Sequence, residues 1–258
     1  MAKAITPDEL ELDLDFDFDF NFDYNFKKGM RTVKKVKKDI IERQSLFEIK
    51  DPVSALSHFI GFVAALIGMP ILLIKASMDG QNLTAMVSLS IFMLSMILLY
   101  GASTAYHTFK VMPDTGKRLK KMDHMMIFVL IAGSYTPMCT IVLEGKAGLH
   151  LLVLIWGIAA LGLLFKAFWV TCPRWVSSVI YITMGWAALL AIDQIFHSME
   201  LAGFILLVAG GILYSMGGII YALKIREIVP GFGAHEVFHL FVLAGSLCHY
   251  FMMMIYVA

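Results

Sequence analysis

Seven apolar runs follow one another from about residue 54 to the C-terminus, at 54–76, 85–107, 123–143, 148–169, 176–196, 201–223 and 235–256. A helix rising 1.5 Å per residue needs about 20 residues to cross a hydrocarbon core of about 30 Å. Continuous apolar runs of that length satisfy their backbone polar groups as helices, since no water in the bilayer can do so. The predicted fold is therefore all-α: a polytopic membrane protein with a bundle of seven transmembrane helices over 53–258. Glycines recur inside the runs, as expected where membrane helices pack closely.

The pattern changes ahead of the first run. Residues 1–26 are of low complexity, with aspartate alternating with Leu and Phe from Asp13 to Asp19. A period of two suits a strand, but a strand with no visible partner is marginal, so this acidic and aromatic tail is expected to be disordered. Residues 27–52 form a basic juxtamembrane segment. Lys27, Lys28, Arg31, Lys34, Lys35, Lys37 and Lys38 accompany Val33, Val36, Ile40 and Phe47, which could share one helical face. That arrangement suits an interfacial helix whose lysines meet anionic lipid, or a topology anchor. No cleavable signal peptide is expected, because the first residues are polar and the first apolar run is followed by more of the same.

Composition supports the membrane reading. Of 258 residues, 59% are hydrophobic and 16% charged, against about 25% charged in soluble domains. The net charge of +1 by itself says nothing about partners; the expected ones are membrane lipids, in the bilayer and as a substrate or ligand inside the bundle, and no nucleic acid. Cys139, Cys172 and Cys248 form no CxxC pair and are expected to be packing residues rather than disulfides. Charge is unevenly distributed. Lys110, Lys117, Arg118, Lys120 and Lys121 fall between the second and third runs. Lys166 and Arg174 follow the fourth, and Lys224 and Arg226 precede the seventh. The opposite side offers little beyond Lys75 and Lys146. The positive-inside rule then places the N-terminus in the cytoplasm and the C-terminus outside, in a multi-pass protein of the cell membrane.

Ionisable groups inside membrane segments are costly and point to function. Here they share one depth. His107 ends the second run on its basic side, with Ser103 one turn deeper on the same face. Asp123 and His124 open the third run, and His235 and His239 open the seventh. Each alone has a plainer reading: His107 as an interfacial residue, Asp123 as a first-turn acid, Ser103 as packing. Together they form a layer. Two imidazoles four apart on a helix share a face, and with His107 they make a three-His set that leaves a fourth tetrahedral position for water. Zinc is the natural ion. Asp123 is a candidate base or support for a ligand, and Ser103 a candidate donor to an oxyanion.

His235-Glu236-Val237-Phe238-His239 also reads as HExxH, the signature of a zinc protease. The third ligand that such an enzyme needs is missing. His249 lies about 15 Å further along the helix, and Glu236 projects about 100° away from His235. His58 is read as structural or as a support to the site, and His124, His150, His197 and His249 as structural.

At these residues the chain resembles the hemolysin III family, the bacterial branch of the progestin and adipoQ receptors that includes the adiponectin receptors. The matching stretches are Ser57-His58-Phe59-Ile60-Gly61, Ser103-Thr104-Ala105-Tyr106-His107, Met122-Asp123-His124 leading to Ala132-Gly133-Ser134-Tyr135-Thr136-Pro137, and His235 to Val242. Ser134 stands where the family usually has Thr. The resemblance covers about 50–258. It implies a seven-helix bundle with zinc held by His107, His235 and His239 near the cytoplasmic face, Asp123 and Ser103 close by. The wider superfamily includes alkaline ceramidases, so the implied activity is zinc-dependent hydrolysis of a lipid amide. Two further functions stay open at this point: a pore-forming cytolysin, or a receptor-like lipid-homeostasis protein with structural zinc.

Overall fold

A computed structural model describes residues 30, 33, 49–143, 145–223 and 232–258. The chain divides into a unit of 1–47 and a unit of 48–258. In the first, Met30 and Val33 are helical and exposed. The expected disordered tail, most of the basic segment, and Lys224 and Arg226 lie outside the described residues.

Among the described residues, seven helices are long and apolar enough to cross a membrane. They are α1 (Pro52–Met78), α2 (Leu83–Thr108), α3 (Pro113–Val142), α4 (Gly145–Phe168), α5 (Arg174–Ser198), α6 (Leu201–Leu223) and α7 (Ala234–Val257). No strand occurs among them, so the chain is an all-α, seven-span membrane protein. Leu56, Phe59, Ile60, Ile67 and Ile74 of α1, like Leu189 and Leu190 of α5, face outward, an apolar exterior that lipid covers.

α2 and α3 are the most enclosed helices. Several of their hydroxyl residues bond within the helix: Ser88 and Ser90 donate to the carbonyls of Thr84 and Met86, and Thr136 to that of Ala132. These bonds remove hydroxyl groups from competition in the bilayer. α3 begins with Pro113, ten residues before the expected start. The basic stretch 117–121 is therefore helical rather than loop, and Asp123 sits well inside the helix, not in its first turn. At the other end Pro137 leads into a π-helical turn, Met138–Val142, where a residue lacking an N–H disrupts the regular ladder. α5 is interrupted by a 3₁₀ stretch, Trp186–Ala191, held by Tyr135, whose hydroxyl donates to Gly185 O at 2.6 Å and accepts from Ala188 N at 2.7 Å.

α6 and α7 pack closely. Gly210 and Gly245 leave the room needed for the His249 and Tyr214 rings opposite. Lys166, grouped by sequence with the loop charges, lies fully buried within α4, where its ammonium group donates to Ser177 Oγ and Cys172 Sγ. Helix α4 continues to Phe168, which carries that lysine inward.

Candidate metal centre

The site forms where α1 begins, α2 ends and α7 begins. Two backbone bonds fix the first junction: Asp51 N to His107 O at 2.9 Å and Lys50 N to Thr108 O at 3.2 Å. They bring the Asp51 carboxylate against the His107 ring, whose Nδ1 donates to Asp51 Oδ2 at 2.8 Å. His107 Nε2 is then free to point inward, and it meets His235 Nε2 at 3.1 Å. The third imidazole, His239, lies one turn further along α7. Its ring centroid is 4.5 Å from that of His235 and 5.0 Å from that of His107.

One nitrogen from each of the three rings lies within 4.8 Å of the other two. An ion bonded at about 2.05 Å in a tetrahedron sets its ligand atoms about 3.3 Å apart. The His107–His235 pair, at 3.1 Å, is already near that spacing, and His239 reaches it with a shift of at most about 1.5 Å. The donor chemistry also fits. Ser57 uses its hydroxyl hydrogen on Ser54 O at 3.0 Å, so at 3.4 Å it accepts from His239 Nδ1. Asp51 does the same for His107. Both rings are thereby held in the tautomer that leaves Nε2 with a lone pair, as metal-binding imidazoles require. His107 and His239 are buried, and His235 is half-buried.

Asp123 is buried on α3 as an electrostatic neighbour of His107. Ser103 Oγ approaches its carboxyl without reaching hydrogen-bond geometry. Ser103 Oγ, Thr104 Oγ1 and both ring nitrogens of His58 are buried with no hydrogen-bond partner among the described residues. Buried polar atoms of this kind require a partner, and four of them gather at one end of the bundle. The structure thus brings the three histidines, Asp123 and Ser103 to one region.

Two residues whose place here the sequence did not reveal join them, together with His58, which the sequence reads as structural or as a support to the site. Asp51 and Ser57 orient two of the rings. His58 stacks on His239 with centroids 3.6 Å apart and planes within 9°, while its edge meets Tyr100 at 5.1 Å. Partial burial pushes the Asp51 carboxyl up, but the His107 bond and the Lys50 charge outweigh it and hold the group below its usual range. The rule that a ligating histidine engages a carboxylate or hydroxyl through its second nitrogen was the available signal for Asp51 and Ser57.

Glu236 is committed elsewhere. Its Oε1 accepts from Ser54 Oγ at 2.9 Å and its Oε2 from Gly233 N at 2.8 Å. It caps the start of α7 and ties it to α1, as its direction on the helix predicts.

The centre opens into a cavity of about 130 Å³ lined by residues of α1, α2, α3, α5, α6 and α7. His58, Asp123, His124, His235 and His239 line one end of it. His124, expected to be structural, thus also faces this space. Leu99, Ile127, Leu130, Ile131, Ile182 and Val242 supply an apolar wall, a lining suited to a hydrophobic ligand.

Residues 48–250 match the family model described as haemolysin-III related. The chain is 39% identical over 215 residues to Hemolysin-3 of Bacillus cereus, covering 83% of this chain and 95% of that protein. It is 38% identical over 212 residues to the Hemolysin-3 homolog of Bacillus subtilis (strain 168), covering 82% of this chain and 96% of the relative. No solved structure gives a significant match. With a family match across all seven spans and two relatives covered almost end to end, this multi-pass cell-membrane protein belongs to the haemolysin-III related family.

Proposed function

We propose that the protein is a zinc-dependent hydrolase of lipid amides, working inside the membrane at the basic, cytoplasmic end of the bundle. The observation that carries this reading is the convergence of three imidazoles, two of them with Nε2 atoms 3.1 Å apart, at the end of an apolar cavity that also receives Asp123. His107, His235 and His239 would hold the ion. When bound, zinc supplies a Lewis acid and lowers the pKa of its water to about 7.

The chain's own residues do the rest. The apolar wall receives the acyl chain and excludes bulk water. Asp123 takes a proton from the attacking water as oxygen adds to the amide carbonyl carbon. The Ser103 hydroxyl, with no partner among the described residues, donates to the developing oxyanion. Asp123 then passes its proton to the leaving nitrogen as the C–N bond breaks, giving a carboxylic acid and an amine. Asp51 and Ser57 keep the ligand rings in register.

Two alternatives have less support. A water-filled pore needs polar residues along its path, and the cavity wall beyond the histidines is mostly apolar, with polar side chains such as Ser134 and His249 set among Leu99, Ile127, Leu130 and Val242. A receptor with structural zinc needs a protein group in the fourth position; the neighbouring Asp123 and Ser103 suit a reacting water equally well. The test is release of fatty acid from a panel of ceramides and other N-acyl lipids, read by mass spectrometry. Wild type should release it, while Asp123→Asn and zinc-stripped protein should not. Zinc-loaded, folded protein inert towards the whole panel would refute the hydrolase reading.

A further inference from the structure

The cavity extends past the metal centre to a second polar group. Along α7, His249 lies ten residues beyond His239, about 15 Å away and within reach of roughly twelve carbons of an extended chain. It lines the same cavity and is only 8% exposed. Its Nε2–H donates to Leu207 O at 3.3 Å. In the uncharged ring this leaves Nδ1 as an acceptor, and Nδ1 is buried with no partner among the described residues.

The ring is also held in place. Gly210 leaves no room for a Cβ beside it, and Tyr214 meets it edge-on with centroids 5.3 Å apart. A further cavity begins at this level. His249, Ser134, Tyr135 and Trp186 line both spaces, and the second continues to Leu151, Ile195 and Met252. His249 therefore marks a polar waist between two apolar chambers. A plain hydrocarbon chain crossing it would leave Nδ1 unsatisfied, whereas a chain bearing a hydroxyl at that depth would not.

We propose that His249 is a second ligand subsite that accepts a hydrogen bond from a hydroxyl about twelve carbons along an acyl chain, so that the bundle prefers mid-chain hydroxylated lipids. The proposal rests on the preceding reading only in placing the carbonyl end of the lipid at the histidine triad. The outer chamber would take the remainder of the chain.

The test is equilibrium displacement of a fluorescent fatty acid from zinc-loaded full-length protein in detergent. Octadecanoate and 12-hydroxyoctadecanoate are compared. One buried hydrogen bond predicts roughly five- to tenfold tighter binding of the hydroxy acid to wild type. His249→Phe should abolish that preference and leave zinc content unchanged. 6-Hydroxyoctadecanoate should show no preference in wild type, a comparison that needs no variant. Equal binding of the 12-hydroxy and plain acids, a preference that survives in His249→Phe, or displacement by neither acid would overturn the proposal. Because the readout is binding, a protein that prefers the hydroxy acid yet hydrolyses nothing would defeat only the hydrolase reading. Hydrolysis without the preference would defeat only the subsite.

Discussion

Replacing Asp51 with Asn should weaken metal binding by about tenfold, although Asp51 touches no metal. Its carboxylate accepts the Nδ1–H of His107 at 2.8 Å. An amide is nearly the same size but can turn its NH₂ towards Nδ1, which favours the tautomer with hydrogen on Nε2, the atom the metal needs. Hydrogen bonds to charged groups contribute about 1.5–3 kcal/mol. The Asp51 side chain is 40% exposed, and solvent screening pulls the value to the low end of that range. About 1.4 kcal/mol is a factor of ten in affinity, the lower edge of what outer partners of metal ligands usually contribute. The assay is competition against a zinc chelator of known affinity, with bound metal counted by mass spectrometry and folding checked by gel filtration. Asp51→Glu, which keeps the charge, should recover part of the loss. Folded Asp51→Asn with zinc affinity within twofold of wild type would refute the account of how His107 is oriented.

Three further outcomes follow from the same geometry. Because both oxygens of Glu236 are used at the start of α7, Glu236→Ala should retain zinc and any hydrolysis while losing about 1 kcal/mol of stability; a protease-like role for this residue predicts abolished activity instead. Gly162→Val would drive a side chain into Phe128, which is fully buried, and should cost about 1–3 kcal/mol, seen as a lower thermal midpoint with zinc stoichiometry unchanged. As pH falls from 7.5 to 5.5, zinc should be released as protons compete for the imidazoles. Asp51, whose folded carboxyl lies below its usual range, stays ionised over that interval; its contribution is present above the usual aspartate range and is lost only as pH falls through the lowered value. Release over that interval is therefore set by the imidazoles and not by titration of Asp51, and zinc affinity unchanged between pH 7.5 and 5.5 would contradict this.

Much of the fold was legible because each span is a long apolar run, and membrane length leaves one reading for such a run. The histidine layer was legible because the i, i+4 pair in α7 and the end of α2 fall at one depth. What stayed hidden depends on how helices meet. Nothing local marks Asp51 or Ser57, since their role arises only when the backbone bonds from Lys50 and Asp51 close α1 onto the end of α2. The start of α3 at Pro113 was hidden because its first turns are polar and lie ahead of the apolar run. The inward turn of Lys166 was hidden because the residues that accept it, Cys172 and Ser177, belong to the next connection and helix. The same holds for His249: its depth along α7 was readable, but the cavity that reaches it is made by α3, α5 and α6.

The most direct test of the account is the metal content of the detergent-purified chain, wild type beside His239→Ala, after zinc loading and dialysis against a mild chelator. The three-imidazole centre predicts about one zinc per wild-type chain and a clear loss in the variant. No zinc in the wild type after loading, or equal zinc in both proteins, would contradict it.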